Sequence, residues 1–243
     1  FIGVDVFFVI SGFVITTRLL DEWRETGRLD FASFYARRMR RLLPALALLV
    51  AATCLASVVA EPPNGEQQMT TKAALGAMLL SANLVIPSLF VDYFARVGAL
   101  NPLLHTWSLS VEEQFYLGFP VVLLAALAAG RTRARATTPA VILLVLSAGS
   151  LAFLWTATYA PEWLGWLSVV AHPFYGAPGR AWEFGAGALL AFIAGRASGA
   201  SFVSHATSIA GLGLIVSAAV LFHPDMTFPG VAVVIPVVGT LLV

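Results

Sequence analysis

Residues 34–60, FYARRMRRLLPALALLVAATCLASVVA, decide the kind of fold this chain can adopt. The segment begins with a cluster of arginines and continues with nineteen uncharged residues, 42–60. A helix rises about 1.5 Å per residue and the hydrocarbon core of a bilayer is about 30 Å thick, so about 20 apolar residues cross it. The segment therefore predicts a transmembrane helix with a basic end.

The composition extends this prediction to the whole chain. Hydrophobic residues make up 59% of the 243 residues and charged residues 11%, against about 25% charged in an average soluble protein. The 14 basic and 13 acidic residues leave a net charge of +1, which gives no reason to expect nucleic acid as a partner. Because Cys54 is the single cysteine, an internal disulfide and a cysteine metal cluster are excluded, and we expect no metal.

Apolar segments of near-spanning length recur along the chain between charged or Pro/Gly-rich breaks. We predict eight of them, at residues 4–20, 42–60, 73–90, 111–129, 139–157, 181–195, 206–222 and 230–243. The predicted fold is an all-α, polytopic transmembrane helical bundle of about seven to eight apolar segments. Since the sequence starts and stops inside apolar runs, we expect residues 1–243 to be part of a domain truncated at both ends.

The distribution of arginine predicts the orientation, because short cytoplasmic loops carry an excess of Lys and Arg. The linker 21–41 should be cytoplasmic and the loop EPPNGEQQ (61–68) should face outward, whereas Arg131, Arg133 and Arg135 should again face inward. The segments 73–90 and 111–129 both lie between the loop 61–68 and the arginine triplet. Passing from the outer to the inner side, however, takes an odd number of crossings. Either the segment 73–90 is broken or re-entrant, or the arginine triplet departs from the rule. Irregular backbone at membrane depth occurs only where protein or a water-filled cavity covers it, so the first alternative would mark a functional cavity.

Ionisable residues inside predicted spans are candidate functional residues, since each costs about 2.5–3.5 kcal/mol on insertion scales. Asp5 lies in GVDVFFVISGF (3–13), and Arg180 and Glu183 lie three apart in GRAWEFGAGALLA (179–191). Asp5 could pair with a cation at a helix end or line a polar cavity. Arg180 and Glu183 could form a self-neutralising ion pair or contact a substrate from the outer side.

Three arginines next to residues 42–60 form a candidate phosphate site. On a helix, Arg37 and Arg38 lie four and three residues before Arg41, so the three guanidinium groups should share one face. Arginine binds phosphate in a bidentate manner, which suits a phosphorylated cofactor arriving from the cytoplasm. The alternative is that these residues fix topology and attract anionic lipid, at about 1 kcal/mol each.

The stretch NPLLHTWSLSVEEQFYLGFP (101–120) holds the candidate catalytic residues. Ser110 and Glu113 match a capping box, which predicts a helix start and gives Glu113 a structural role. Glu112 is left as a candidate catalytic carboxylate. The side chains expected around it are His105, Trp107, Ser108 and Tyr116. A His and a carboxylate that meet in space can perform general base catalysis, whereas a lone His in a loop is more often only solvated.

Four motifs in this order resemble the membrane-bound acyltransferase 3 family, and more closely its bacterial O-antigen acetylases. They are GVDVFFVISGF (3–13), FYARRMRRLLPAL (34–46), NPLLHTWSLSVEEQFYL (101–117) and GRAWEFGAGALLA (179–191). The resemblance covers the whole chain. FPGVAVVIPVVGTLLV (228–243) also resembles the branch whose members carry an extracytoplasmic esterase-like domain after the membrane part.

The resemblance implies a multi-pass enzyme of the bacterial inner membrane. Such an enzyme moves an acyl group, usually acetyl, from a cytoplasmic acyl-CoA to a carbohydrate hydroxyl of lipopolysaccharide, peptidoglycan or another glycan. The family's Arg-x-x-Arg signature falls on Arg38 and Arg41, with Arg37 beside it. Its Trp-Ser-Leu then Glu pattern falls on residues 107–109 and Glu112, and its Gly-x-Asp-x-Phe-Phe pattern includes Asp5.

The family's presumed catalytic His belongs to a span before residue 1. We therefore expect this fragment to be inactive alone and the full-length protein to use that His as general base. Arg180, Glu183, Trp107, Ser108 and Tyr116 are expected to contact the acceptor. The alternative function is a multispan transporter or flippase, which would also explain polar residues in spans and a broken segment. A noncatalytic membrane scaffold predicts that the polar residues do not converge.

Overall fold

The computed structural model describes residues 2–89, 101–132, 137–165, 167, 172–194, 202–223 and 226–243, and these residues contain helices and turns but no strand. The α-helices are α1 (Ile2–Thr26), α2 (Phe31–Ala60), α3 (Glu66–Met78), α4 (Ala82–Leu89), α5 (Thr106–Thr132), α6 (Thr138–Tyr159), α7 (Ala177–Ala194), α8 (Phe202–Leu221) and α9 (Val234–Leu242). Short 3₁₀ turns lie at Pro161–Leu164 and Val231–Val233. The prediction of an all-α fold is confirmed over these residues.

Four helices are long and apolar enough to cross a membrane by length and composition. They are Ile2–Thr26, Phe31–Ala60, Thr106–Gly130 and Thr138–Tyr159. Shorter apolar stretches at His205–Leu221 and Val231–Leu242 coincide with the last two predicted segments. Four of the eight predicted spans are thus supported, and a total of seven to eight stays a prediction. The arginine triplet used for orientation lies outside the residues whose side chains the structure describes.

Helix α2 begins earlier than the sequence predicted. Asp30 caps its first turn, because its carboxylate accepts hydrogen bonds from the Ser33 amide (3.1 Å) and hydroxyl (2.7 Å). These bonds lower the pKa of the exposed Asp30 carboxyl, so the cap is kept as pH falls until that lowered pKa is reached.

The predicted linker 21–41 is wrong, since only residues 27–30 separate α1 from α2. A helix of 30 residues is about 45 Å long, so its basic first turns can extend beyond a 30 Å core.

The break predicted within residues 73–90 is confirmed. Helix α3 ends at Met78 and α4 starts at Ala82, and between them Leu80 has a φ of 53°. The 13 residues of α3 reach only about 20 Å, too short to cross the core alone. Side chains of α5 satisfy the interrupted backbone: the Gln114 amide donates to the Leu80 carbonyl (3.0 Å) and the Ala82 amide donates to the Ser110 hydroxyl (3.1 Å). Whether this segment re-enters or crosses the membrane stays open.

The chain divides into two compact units. One comprises residues 1–29, 118–174 and 178–243, and the other comprises residues 30–117 and 175–177. Helix α5 contributes to both. The second unit contains α2, α3 and α4, and its core includes Ala73, Ala74 and Leu103.

Glycines set the distance between α1 and α7 in the first unit. A Cβ atom on Gly12 would overlap the carbonyl of Phe184, and one on Gly187 would overlap the carbonyl of Val9. The Phe8 and Phe184 rings stack beside this contact with centroids 4.4 Å apart. Small residues that allow backbones to touch are a common means of packing transmembrane helices. The contact brings the motifs at residues 3–13 and 179–191 onto adjacent helices.

We predict that Gly187→Ala destabilises the protein by about 1–3 kcal/mol, because the added methyl forces α1 and α7 apart. The measurement is thermal unfolding of the purified protein in detergent. Gly118→Ala in α5 is the matched control, since nothing lies within 4 Å of its Cβ position. Equal unfolding temperatures for the two variants would contradict the prediction.

Candidate functional site

The first charged cluster joins α2 to α5 within one unit and consists of Arg38, Glu112, Glu113 and Tyr116; we call it the Arg38 cluster. Arg38 Nε lies 2.8 Å from both carboxylate oxygens of Glu113, and Nη2 also donates to that carboxylate. Arg38 Nη2 lies 3.3 Å from Glu112 Oε1. The centre of the guanidinium lies 3.5 Å from the centroid of the Tyr116 ring. Three predicted site residues and Glu113 therefore meet.

The capping box predicted for Ser110 and Glu113 is wrong. Helix α5 already begins at Thr106, so both residues lie inside it. The Ser110 hydroxyl donates to the Thr106 carbonyl (3.1 Å), while Glu113 binds Arg38. The spacing of Ser110 and Glu113 is that of a capping box, but the Glu113 carboxylate binds Arg38, which lies 75 residues away in sequence. Glu113 is consequently a site residue that the sequence analysis missed.

The electrostatics of the Arg38 cluster are unbalanced. Glu112 and Glu113 are both buried, with 5% of each residue exposed, and a buried carboxylate is stable only when it is paired and hydrogen-bonded. One guanidinium faces two carboxylates, so the formal charge of the cluster is negative when both acids are ionised. Protonation of one of the two acids would leave the cluster formally neutral.

The three predicted phosphate-binding arginines differ in their surroundings. Arg38 is directed to Glu113, whereas Arg37 and Arg41 are exposed. The three guanidinium groups are therefore not equivalent, because the carboxylates of α5 bind Arg38. Arg37 and Arg41 remain accessible to an anion at the basic end of α2.

The residues expected around Glu112 divide into buried and exposed ones. Trp107 is buried and packs edge-to-face on Tyr175, with ring centroids 5.3 Å apart. The Ser108 hydroxyl donates to the backbone carbonyl of His105 (3.0 Å). The His105 side chain is exposed, and in the described part of the chain no hydrogen bond joins it to Glu112. Of these residues, Tyr116 is the one that the structure brings to the cluster.

The second charged cluster lies in the other unit and consists of Asp5, Arg180 and Glu183; we call it the Arg180 cluster. Arg180 Nη1 lies 2.7 Å from Asp5 Oδ1 and 2.7 Å from Glu183 Oε1. Its Nε donates to the Phe174 carbonyl (3.1 Å). All three side chains are at most 1% exposed. The Arg180–Glu183 ion pair is confirmed, and Asp5 joins it across 175 residues of sequence.

Two oxygens of the Arg180 cluster are available for chemistry. Asp5 Oδ2 and Glu183 Oε2 are buried and have no hydrogen-bond partner among the described residues. Leaving a buried polar atom unsatisfied costs about 1–3 kcal/mol. The cluster can therefore hold a proton or accept a hydrogen bond from a substrate hydroxyl. The Phe174 and Phe228 ring centroids lie 5.4 Å and 5.7 Å from the guanidinium centre, and no pattern in the sequence indicates that either ring is nearby.

Apolar helices of spanning length and two buried arginine–carboxylate clusters define a membrane-embedded protein with polar sites inside its helical units. Its sequence matches the acyltransferase 3 family, described as an acyltransferase domain, over residues 1–243. The chain belongs to this family, whose members are enzymes that transfer acyl groups.

The similar curated proteins are bacterial O-acetyltransferases. The O-acetyltransferase OatA of Staphylococcus aureus is 41% identical over 51% of this chain and 20% of its own length. The peptidoglycan O-acetyltransferase OatA of Listeria monocytogenes is 33% identical over 79% of this chain, and the putative peptidoglycan O-acetyltransferase YrhL of Bacillus subtilis is 32% identical over 79%. The chain covers 29% of the length of each of these last two proteins. No solved structure matches the chain.

We predict that Arg180→Ala destabilises the protein by about 3–5 kcal/mol, because it leaves two carboxylates buried without their cation. Thermal unfolding in detergent measures the effect. Arg24→Ala in α1 is the control, since Arg24 pairs with Asp21 where both side chains are more than half exposed and such pairs contribute little. An Arg180→Ala protein as stable as Arg24→Ala would refute the structural importance of the cluster.

Proposed function

We propose that this chain is the membrane part of an O-acetyltransferase that moves acetyl from a cytoplasmic acyl-CoA to a hydroxyl of a cell-envelope glycan. One observation carries the proposal beyond family membership. Arg38, which the resemblance assigns to the donor, lies 3.3 Å from Glu112, which the resemblance assigns to catalysis. A donor held at the basic end of α2 would therefore lie next to a carboxylate of α5.

The acceptor that we favour is peptidoglycan. Two of the similar proteins carry peptidoglycan in their names, whereas the O-antigen acetylases were suggested by motif resemblance. Both acceptors present sugar hydroxyls, so the residues described here suit either one. Peptidoglycan is built outside the inner membrane, which fits a multi-pass protein of the bacterial inner membrane. Four helices are long and apolar enough to cross a membrane, which supports this proposal.

The donor would bind at the arginines of α2. Coenzyme A carries several phosphate groups, and arginine binds phosphate through paired N–H groups. Arg37 and Arg41 are exposed, and 24% of the Arg38 side chain is accessible. These residues suit a phosphorylated ligand that arrives from the cytoplasm, where the basic end of a span is expected.

The transfer step needs a base, an attacking hydroxyl and a leaving thiolate. The family resemblance implies a His as the base, and we propose that Glu112 orients it or its substrate. The base removes the proton from the sugar hydroxyl, and the oxygen attacks the thioester carbonyl carbon. The carbon–sulfur bond then breaks, and the coenzyme A thiolate takes up the proton.

The Arg180 cluster would contact the acceptor in this proposal after a rearrangement that exposes it, since its three side chains are at most 1% exposed. The uncompensated oxygens of Asp5 and Glu183 are acceptors that a sugar hydroxyl can donate to. Arg180 holds both carboxylates in fixed positions, so their orientation is set before a substrate binds. His105, Trp107 and Ser108 stay predicted contacts that the geometry of the Arg38 cluster does not require.

The test of the donor site uses the full-length protein in membranes and labelled acetyl-CoA. We predict that Arg38→Ala and Arg41→Ala each abolish acetyl transfer to glycan although the protein still inserts, because the donor phosphates lose their partners. Arg24→Ala, which removes an exposed arginine of α1, should transfer acetyl at the wild-type rate. Acetyl transfer at the wild-type rate by both Arg38→Ala and Arg41→Ala would refute the proposal that α2 binds the acyl-CoA donor.

Glu112→Gln tests the catalytic carboxylate. We predict that kcat falls roughly 100-fold, the lower range for loss of a group that assists proton transfer, while membrane insertion is unaffected. The amide keeps the size of the side chain and removes its charge. An unchanged kcat would leave Glu112 with only the structural role of partnering Arg38.

A further inference from the structure

Glu113 occupies one edge of the Arg38 guanidinium, Glu112 lies 3.3 Å from Nη2, and Nη1 lies on the edge that Glu113 leaves uncovered. A guanidinium can bind an oxyanion at its Nε–Nη2 edge or at its Nη1–Nη2 edge, each with two N–H groups. Glu113 lies on the first edge, with both oxygens 2.8 Å from Nε. Among the described residues, Nη1 of Arg38 has no hydrogen-bond partner.

The Tyr116 ring limits the rotation of this guanidinium. Its centroid lies 3.5 Å from the guanidinium carbon, so it covers one face of the plane. With one edge and one face occupied, a phosphate can approach only through Nη1 or the remaining face. Glu112 touches the same Nη2 atom from 3.3 Å, a weaker contact than that of Glu113.

The burial of the two partners is unequal. The Glu113 side chain is 4% exposed and the Arg38 side chain is 24% exposed. A ligand outside the protein can therefore reach Arg38 but not Glu113. The buried carboxylate thus acts on a ligand only through the arginine.

We propose that Glu113 is a positioning residue, which holds Arg38 by its Nε–Nη2 edge so that the Nη1 edge binds a phosphate of the acyl-CoA donor. This inference rests on the proposed function, and it assigns a role to a residue that the family's Trp-Ser-Leu then Glu pattern does not include. It explains why a donor-binding arginine carries a bidentate carboxylate partner. The bidentate Glu113 carboxylate fixes the orientation of the Arg38 guanidinium. A guanidinium whose orientation is already fixed loses less conformational entropy when a phosphate binds.

The experiment measures the affinity for coenzyme A and the kinetics of acetyl transfer with the full-length protein. Glu113→Gln should weaken coenzyme A binding and raise the KM for acetyl-CoA about tenfold, the equivalent of one charge-assisted contact, while kcat stays within about twofold of wild type. Arg38→Lys should have a similar effect, because an ammonium has no second edge. The double variant should lose little more than either single variant, since both changes remove the same fixed fork.

Glu66→Gln is the matched control, because Glu66 is an exposed acid at the start of α3 in the same unit. It should leave both KM and coenzyme A affinity unchanged. If Glu113→Gln lowers the unfolding temperature but leaves the KM and the affinity at wild-type values, Glu113 is only structural and the proposal is overturned. If that variant does not insert, Arg38→Lys decides: an unchanged affinity for coenzyme A would also overturn it.

Direct binding separates this proposal from the proposed function. A wild-type protein that binds coenzyme A but transfers no acetyl would refute the enzymatic proposal, while a tenfold weaker affinity in Glu113→Gln would still support the positioning role. A wild-type protein that does not bind coenzyme A would refute the positioning role as stated.

Discussion

The structure depends on a single physical constraint: a charge removed from water must meet an opposite charge. An isolated ion in a low-dielectric interior is unstable, and breaking a buried pair is more costly than never having formed it. Arg180 forms ion pairs with Asp5 and Glu183 in one unit, and Arg38 forms ion pairs with Glu112 and Glu113 in the other. In both clusters an arginine serves two acids, because its planar fork has several donors in fixed directions. These pairs tie together helices that otherwise present mainly apolar surface to one another.

The existence of the helices could be predicted from hydropathy, but their partners could not. Residues 42–60 and 139–157 are apolar over a spanning length, and helices occupy both segments. The helix starts were predicted less well, since α2 begins at Phe31 and α5 at Thr106, both upstream of the apolar runs. Amphipathic or charged first turns carry no hydropathy signal. A helix nevertheless extends through such turns as long as its first backbone amide groups are capped.

The roles of individual acids show the same limit. The spacing of Ser110 and Glu113 is that of a local cap, and a local pattern cannot reveal that Arg38 competes for the carboxylate. The ion pair of Arg180 and Glu183 was predictable because three residues separate them, whereas Asp5 joins from the other end of the sequence. The broken segment was predicted from the number of crossings needed between the loop 61–68 and the arginine triplet. Its dependence on Gln114 could not be, since that amide belongs to a different helix.

The glycine contact between α1 and α7 has a mechanical consequence. Gly12 and Gly187 each face a carbonyl of the other helix with no room for a methyl group. If α1 slid along α7 by one turn, about 5.4 Å, bulkier residues would enter these two positions and clash with the facing backbone. The register of this helix pair is consequently locked, and with it the distance between Asp5 and Arg180. Sliding between α1 and α7 is therefore blocked, and the pair forms a stationary support for the residues that it carries.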